Sequence, residues 1–492
     1  MLIKKALLLF FTTLLLSPLY AQTKTEEKVL KEMNSISADN IMYYDRELAS
    51  PKYAGRLTGT KGYNMAADWT VSLFKKWGIK PAGDKNTYLQ KFKNPYTLIL
   101  DAGEVILNNP YGKTEPVKYK YQDEYFPDAT SDKGTVTADV VYVGYGITAP
   151  ELNYDDYKGV DVKGKIVLFN PEVPVLPGQD AETFKKWRPY SFHDYKAKNA
   201  AAHGAAGVLF NYQLVNPNGI FIKGLIKADI GDKITADILE GTGKTIKDLL
   251  GGIRKNLVPA SFDTKKSVTI RINSQYHPEG IGSNVVGVIK GNDPALKDEY
   301  LIIGAHLDHL GKCDQLMPGA NDNASACSVL FETAKALTSL KMNFKRSIMF
   351  VLFGAEEQGV KGSEFFVNNL KIPKDKIIGF INLESVGRGE KISAGSGKNY
   401  PELFKPFEEN DNKYVHRAMT ADFNSNLARP RQDAAHFLWA GIPTISFGAY
   451  GAPQLPFSTY HTTHDTPENL TPPVMEDLAR IVFLSVIDIV NK

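Results

Sequence analysis

Histidines and acidic residues follow directly after apolar runs at several places in the chain. The run that ends at His306 opens into a Gly-rich loop with Asp308 and His309, and Asp322 lies further along the same segment. Later apolar runs lead to Glu356, Glu357, Glu384, Tyr460, His461, His464 and Asp465. Imidazole nitrogens combined with carboxylate oxygens, without a set of thiolates, are the donors that a catalytic Zn²⁺ prefers. The pattern therefore predicts metal chemistry.

The apolar runs themselves predict the strands that position these side chains. They cover Tyr300–Ile303, Ser347–Phe353, Ile377–Leu383 and Ile442–Phe447. Continuous apolar runs are typical of strands buried on both faces of a parallel sheet, where ligands gather beyond the carboxyl ends. We therefore expect the side chains to meet in one crevice. A pair of metals about 3.5 to 4 Å apart would need a bridging carboxylate there.

The spacing of the histidines leaves the nitrogen ligands open. His306 has His309 three places on, and His461 has His464 three places on, so either member of each pair is a possible ligand. Asp308 is placed to hold the ring of His306 as a supporting hydrogen-bond partner, and a turn-forming Asp is its alternative interpretation.

The predicted carboxylate ligands also have alternative interpretations. Asp322 begins a helical segment, so it is either a bridging ligand or an N-cap, and the companion acids favour the bridge. Glu356 and Glu357 follow seven apolar residues, which disfavours an exposed surface pair. One of the two would bind metal while its neighbour takes a proton from water, and the sequence does not say which.

The amino terminus has the pattern of a secretory signal peptide. Lys4 and Lys5 precede an apolar block, Ala6–Leu16, and small residues end at Ala21. A buried amphipathic helix is the alternative. No later stretch reaches the ~20 apolar residues of a membrane helix. We expect an exported protein, secreted or periplasmic, without a membrane anchor.

Composition excludes several classes of protein. A chain of 492 residues with 43% hydrophobic residues has room for about two or three domains. The net charge of +3, without a basic cluster interleaved with aromatics, disfavours nucleic acid as a partner. Cys313 and Cys327 are the only cysteines, which excludes a disulfide framework but leaves a bridge between the two open. The oligomeric state is not indicated.

Changes in the residue pattern along the chain indicate its domain boundaries. Residues 1–21 are the signal peptide, and residues 22–100 contain two amphipathic helices, the second with a core stripe at Ala66, Trp69, Leu73, Phe74 and Trp77. Residues 101–280 consist of short β-type runs, which indicates an inserted accessory domain. Residues 281–492 alternate strands with helices. The fold class is thus α/β, with a mostly parallel, helix-flanked mixed sheet and a β-rich inserted domain.

The motifs around the predicted ligands resemble those of the di-zinc exopeptidases typified by bacterial leucyl aminopeptidase and aminopeptidase Y, relatives of the glutamate carboxypeptidases. The segments that carry the resemblance are Gly304–Gly311, Pro318–Ser325, Gly354–Gly359, Asn382–Glu384, Tyr460–Thr462 and Asp465–Thr466. Within the accessory block, Asp156–Ile166 and His203–Val208 resemble a protease-associated (PA) domain. The predicted sheet would then be of the zinc-exopeptidase type.

The resemblance implies a role for each residue. It implies two Zn²⁺ per chain bridged by Asp322, with Glu357 and His461 on one ion and His306 and Glu384 on the other. Glu356 would be the general base that generates a zinc-bridged hydroxide, and Tyr460 a donor to the oxyanion. Apart from the resemblance, Asp308 is a candidate catalytic residue because of its position beside His306. The implied activity is that of an aminopeptidase, acting on peptides with a free amino terminus.

Departures from the family pattern keep alternatives open. Glu384 stands where many members have Asp, Gln432-Asp433-Ala434 replaces Ser-Asp-His, and Ala326 replaces Gly. A carboxypeptidase or dipeptidase of the same family, a glutaminyl cyclase-like acyltransferase and a non-catalytic binding protein are the alternatives. Arginines that would favour a substrate carboxylate are Arg388, Arg429 and Arg431, and surface positions are their alternative.

Overall fold

The computed structural model describes residues 25–176, 178, 180–423 and 432–492. The predicted signal segment 1–21 and the two arginines Arg429 and Arg431 lie outside these residues. The α-helices cover 25–33, Ala38–Leu48, Lys61–Trp77, Ala181–Trp187, His193–Ala202, Asp232–Leu239, Ile246–Asn256, Ser325–Ser339, Lys361–Asn368, Pro401–Asn410, Ala434–Trp439 and Pro472–Asn491. Within the described ranges, none of the helices combines the length and apolar character that crossing a membrane requires.

A nine-stranded mixed sheet forms the larger unit. Its central strands, in spatial order, are Ser347–Phe353, Tyr300–His306, Ile377–Leu383 and Thr444–Tyr450, and all neighbours among them are parallel. Antiparallel or short strands flank them: Lys80–Pro81, Leu89–Lys93, Ile281–Ile289, Lys391–Gly395 and Thr420–Ala421. The predicted apolar runs therefore lie side by side, with their carboxyl ends at one edge of the sheet.

Helices cover this sheet on both faces. Strands Tyr300–His306 and Ser347–Phe353 are buried along their whole length, as expected for strands packed on two sides. Helix Lys61–Trp77 begins with Thr60 as N-cap and ends at Gly78, whose φ of 77° suits a residue without a side chain. Its predicted stripe packs into the core, where Trp69 meets Phe331 edge-on at 5.7 Å.

A second sheet, of eight strands, is built by residues that lie between the first helices and the main sheet in sequence. Its spatial order is Val117–Lys118, Glu104–Leu107, Phe262–Ile272, Gly134–Tyr142, Ile166–Phe169, Gly207–Phe210, Ile226–Ile230 and Tyr125–Pro127. The strands between Gly134 and Ile230 are parallel neighbours, with helix His193–Ala202 among their connections. A two-stranded sheet, Thr148–Ala149 with Tyr154–Asp155, accompanies it.

A small third sheet joins the two units. Strand Tyr96–Ile99 pairs with Ser274–His277, and both belong to the chain segments that enter and leave the inserted sheet. Strands Lys312–Cys313 and Gln315–Leu316 continue this sheet from the loop that follows His306. The loop that carries the predicted ligands is thereby fixed to the base of the insert. Both cysteines are buried free thiols.

Candidate metal centre

The carboxyl ends of the parallel strands bring the predicted ligands together. His306 is the last residue of its strand, Glu384 follows strand Ile377–Leu383, and Glu356 and Glu357 follow strand Ser347–Phe353 after two residues. His461 comes from the loop after strand Thr444–Tyr450. Residues far apart in sequence therefore reach one buried place, as the strand-end pattern predicted.

Two groups of donor atoms share Asp322. His306 Nε2 lies 3.2 Å from Asp322 Oδ1 and 3.1 Å from Glu384 Oε1. His461 Nε2 lies 3.4 Å from Asp322 Oδ2 and 3.0 Å from Glu357 Oε2. Each oxygen of the Asp322 carboxylate thus faces a different imidazole, which is the arrangement that a bridging carboxylate needs.

The second histidines of the two pairs, His309 and His464, lie in different environments. His309 is fully buried, and its Nδ1 lies 2.7 Å from Glu357 Oε1, so this ring also contacts the centre. His464 is exposed and stacks on Phe457 with ring centroids 4.4 Å apart. His461 therefore faces the acids where His464 does not, whereas His306 and His309 both do.

Asp308 contacts the centre through two different groups. Its backbone carbonyl lies 3.2 Å from His306 Nδ1, while its carboxylate oxygen is 3.8 Å from that nitrogen. The carboxylate instead accepts hydrogen bonds from the backbone N–H groups of Glu356 and Glu357, at 3.2 and 3.3 Å. Asp308 thus fixes the backbone at the paired glutamates as well as the ring.

The adjacent carboxyls of Glu356 and Glu357 have opposite electrostatic environments. Burial raises the pKa of Glu356 well above its usual value, and the nearby Glu384 raises it further although His306 opposes the shift. Burial alone would also raise the pKa of Glu357, but His461 and the hydrogen bond from His309 lower it to about 2. Two carboxyls with divergent pKa values are suited to different tasks, one holding charge and the other exchanging a proton.

The loop that carries Asp322 is held by groups around it. The carboxylate of Asp465 accepts hydrogen bonds from the backbone N–H groups of Asn321 and Asp322, at 2.9 and 3.0 Å. Asn323 donates to the carbonyl of Leu383 and accepts from the N–H of Ser385, which ties this loop to the residues flanking Glu384. A Cβ at Gly319, where φ is 61°, would lie 2.4 Å from the ring of His309. These contacts hold the Asp322 carboxylate and the side chains around it in fixed positions relative to one another.

The side chain of Arg56 holds the loop that lies between His306 and Asp322. Its guanidinium is fully buried and donates to the backbone carbonyls of Leu307, Pro318 and Gly319, and to that of Leu48, at distances between 2.6 and 2.9 Å. The carbonyls of both ends of the 307–319 loop are therefore satisfied by one side chain.

Removing this guanidinium is expected to destabilise the protein. Arg56→Met leaves buried carbonyls without donors, each costing about 1 to 3 kcal/mol, so we expect the free energy of unfolding to fall by about 3 kcal/mol or more. Urea unfolding followed by circular dichroism measures it. Arg46→Met, at an exposed position of helix Ala38–Leu48, is the control and should change it by less than about 0.5 kcal/mol. Equal unfolding midpoints for the two variants would contradict the role assigned to Arg56.

A cavity of about 150 Å³ opens onto the centre between the two units. The large unit contributes Glu356, Glu357, Val360, Tyr460 and His461 to its walls, and the inserted unit contributes Glu172, His193, Tyr212, Asn216 and Asn218. The ring of Tyr460 stacks on His461 with centroids 3.9 Å apart. Residues of both units therefore line the approach to Glu356.

The donor atoms fit a pair of divalent cations. The carboxylates of Asp322, Glu356 and Glu357 are buried and that of Glu384 beside them is partly buried, and so many acids in one place are unfavourable without compensating positive charge. Glu384 Oε2 is buried and has no hydrogen-bond partner among the described residues. Two overlapping groups offer ligand atoms within 4.8 Å of one another, namely His306, Asp322 and Glu384, and His309, Asp322 and Glu357. The second group contains His309, but the 3.0 Å contact of His461 Nε2 with Glu357 gives His461 an equally good position.

Comparison with known proteins agrees with this geometry. Residues 284–486 match the model of peptidase family M28, and residues 136–225 match that of the PA domain. The chain is similar to an aminopeptidase of Pseudomonas aeruginosa, 26% identical over 371 residues that cover 72% of the chain and 58% of the relative. It is 27% identical over 365 residues to aminopeptidase YwaD of Bacillus subtilis, covering 70% of the chain and 68% of that protein.

A solved structure shares the fold. It is that of a zinc aminopeptidase from Bacillus subtilis, with a TM-score of 0.62 at 20% identity, covering 93% of the chain and 96% of that protein. The predicted fold class and the resemblance drawn from the motifs are confirmed by these matches. The chain spans 58% of the length of the Pseudomonas relative, less than two thirds.

Proposed function

Since the chain carries a peptidase family M28 domain over residues 284–486 and a PA domain over residues 136–225, we propose that it is a zinc-dependent aminopeptidase that removes amino-terminal residues from peptides. The observation that carries the proposal is the placement of Asp322, whose two carboxylate oxygens face His306 and His461 separately. The zinc named in the Bacillus subtilis aminopeptidase supports the choice of metal.

We propose that two ions are held by the predicted residues. His306 and Glu384 would hold one, Glu357 and His461 the other, and Asp322 both. When bound, zinc supplies a Lewis acid that polarises the scissile carbonyl and lowers the pKa of a coordinated water. The lowered pKa of Glu357 keeps its carboxylate ionised, as a ligand must be.

The chain's own residues then supply the proton transfers. Glu356 lines the cavity and takes the proton from the attacking water, then returns it to the leaving amine. Asp308 holds the backbone of Glu356, and the hydroxyl of Tyr460, on the same cavity wall, donates a hydrogen bond to the developing oxyanion.

The walls of the cavity favour a free amine over a carboxylate. Among the described residues that line it there are acids but no lysine or arginine. Arg388, which would have favoured a carboxypeptidase, donates instead to the carbonyl of Pro453.

Hydrolysis of aminoacyl anilides beside peptides with acetylated amino termini tests this function. We expect release of the amino-terminal residue from unblocked substrates only, loss of activity after chelation, and recovery on addition of zinc to two ions per chain. Release from acetylated peptides would instead support a carboxypeptidase. Cyclisation of amino-terminal glutamine would support an acyltransferase, and zinc binding without turnover would support a binding protein.

The domain division and export are part of the proposal. The inserted domain would cover residues 101–280, between peptidase segments 22–100 and 281–492, and residues 1–21 would direct secretion or export to the periplasm. The strands from Glu104 to Ile272 in a sheet of their own support the first statement. Sequencing the amino terminus of the exported protein tests the second.

A further inference from the structure

We infer that the PA domain supplies part of the metal centre, through a backbone carbonyl that orients His461. Val215 belongs to the segment 136–225 that matches the PA domain, whereas His461 belongs to the peptidase domain. His461 Nδ1 lies 2.7 Å from the carbonyl oxygen of Val215. This inference rests on the proposed function and adds a positioning group to it.

The contact fixes the tautomer of the ring. A carbonyl only accepts hydrogen bonds, so Nδ1 of His461 carries a proton, and in the neutral ring that a metal ligand must have, the lone pair is on Nε2, which faces Asp322 and Glu357. Val215 and His461 are 1% and 3% exposed, so water does not replace the carbonyl. The φ of His461 is 56°, a conformation that a residue with a side chain adopts only when surrounding contacts hold it there.

The ring of His306, in the other half of the centre, is not oriented by a group of the PA domain. His306 Nδ1 lies 3.2 Å from the carbonyl of Asp308, two residues further along the same peptidase loop. One imidazole is thus oriented locally and the other by the inserted domain. A change in how the PA domain sits should therefore act on one ion and spare the other.

Further contacts hold the Val215 segment against the centre. The side chain of Val215 packs in the core cluster of the insert, which also contains Leu310 and Met317 of the loop after His306. A Cβ built on Gly359 would lie 3.1 Å from Asn218 Oδ1, which shows how closely this segment approaches the loop after Glu357. Thr463 Oγ1 donates to Gln122 Oε1 at 3.0 Å, a second link between the His461 loop and the insert. The position of the carbonyl is therefore set by the docking of the whole domain.

Weakening this one acceptor tests the inference. Replacing Asn216 by lactic acid turns the bond after Val215 into an ester, whose carbonyl accepts hydrogen bonds poorly, and Asn216→Ala is the control with the same side chain and a normal amide. Zinc affinity is measured by titration against a competing chelator. Loss of a group that orients a metal-bound histidine typically costs about 10- to 100-fold in affinity. We expect about a 10-fold loss or more for one zinc, and less than about a twofold change for the other.

Two further variants identify the step and guard against a folding defect. His461→Ala should abolish the same zinc-binding step that the ester weakens. Val215→Ala, which trims the anchor of the carbonyl, should shift that step in the same direction. Unchanged affinities, or equal losses for both ions, in an ester variant that unfolds at the control temperature would overturn the inference while leaving the proposed function standing. A wild-type protein that binds no zinc would overturn both.

Discussion

Replacing Glu356 by glutamine is expected to lower kcat by about 10²- to 10⁴-fold while zinc stays bound. Glutamine keeps the size of the side chain but has no carboxylate to accept the proton of the attacking water. Glu356 contacts neither imidazole within the ion-pair distances that Glu357 and Glu384 show, so its loss should leave the ligands in place. Because the proton moves in the transition state, kcat should fall far more than KM changes.

The measurement combines steady-state kinetics on an unblocked aminoacyl anilide with the zinc content of the same preparation. Glu364→Gln is the matched control, since Glu364 is an exposed acid on the helix that follows the same loop. The control should keep wild-type kcat. A Glu356→Gln protein that retains zinc and turns over within about tenfold of wild type would remove the base from Glu356, leaving the ligand assignment to be judged separately.

Much of the fold could be predicted from the sequence because uninterrupted apolar runs mark its buried strands. Runs such as Ser347–Phe353 have no alternating polar residues, so they predict buried parallel strands, and the residues after them predict where side chains gather. The structure brings His306, Asp322, Glu357, Glu384 and His461 to one place. Their roles as ligands, and that of Glu356 as base, remain predictions until metal and rate measurements are made.

Contacts made by backbone groups could not be predicted from the sequence. Arg56 lies in a Gly-rich turn before helix Lys61–Trp77, and nothing in the sequence says that its guanidinium reaches carbonyls some 250 to 260 positions away in the chain. Asp465 stood within a recognised motif, but nothing in the sequence says that its carboxylate holds the backbone at Asp322. The choice of His461 over His464, and the contact of His461 with Val215, depend on loop paths and domain docking, which periodicity does not encode.

Replacing Asp322 by asparagine is expected to abolish binding of both ions, in contrast to His461→Ala, which should spare the ion on His306. Among the residues that the structure describes, only Asp322 faces both imidazoles, and an amide offers a single neutral oxygen where the carboxylate offers two charged ones. Bound zinc should fall from two per chain toward none, and kcat should fall at least as far as in Glu356→Gln. Asp314→Asn, an exposed substitution of the same kind before the loop, is the control and should keep both ions.

Melting temperatures of Asp322→Asn and the wild type, measured with and without zinc, should show how much Asp322 contributes to stability by itself and how much through metal binding. Burial alone would raise the pKa of Asp322, but His306 and His461 hold it well below its usual value, so without zinc the loss of this charge should lower the melting temperature. With free zinc at about 100 times the Kd, the wild-type protein gains about 2.7 kcal/mol for each site, whereas the variant has no site from which to gain. The difference between the two melting temperatures should therefore widen on addition of zinc. If Asp322→Asn keeps two ions or is stabilised by zinc as strongly as the wild type, Asp322 does not bridge a metal pair.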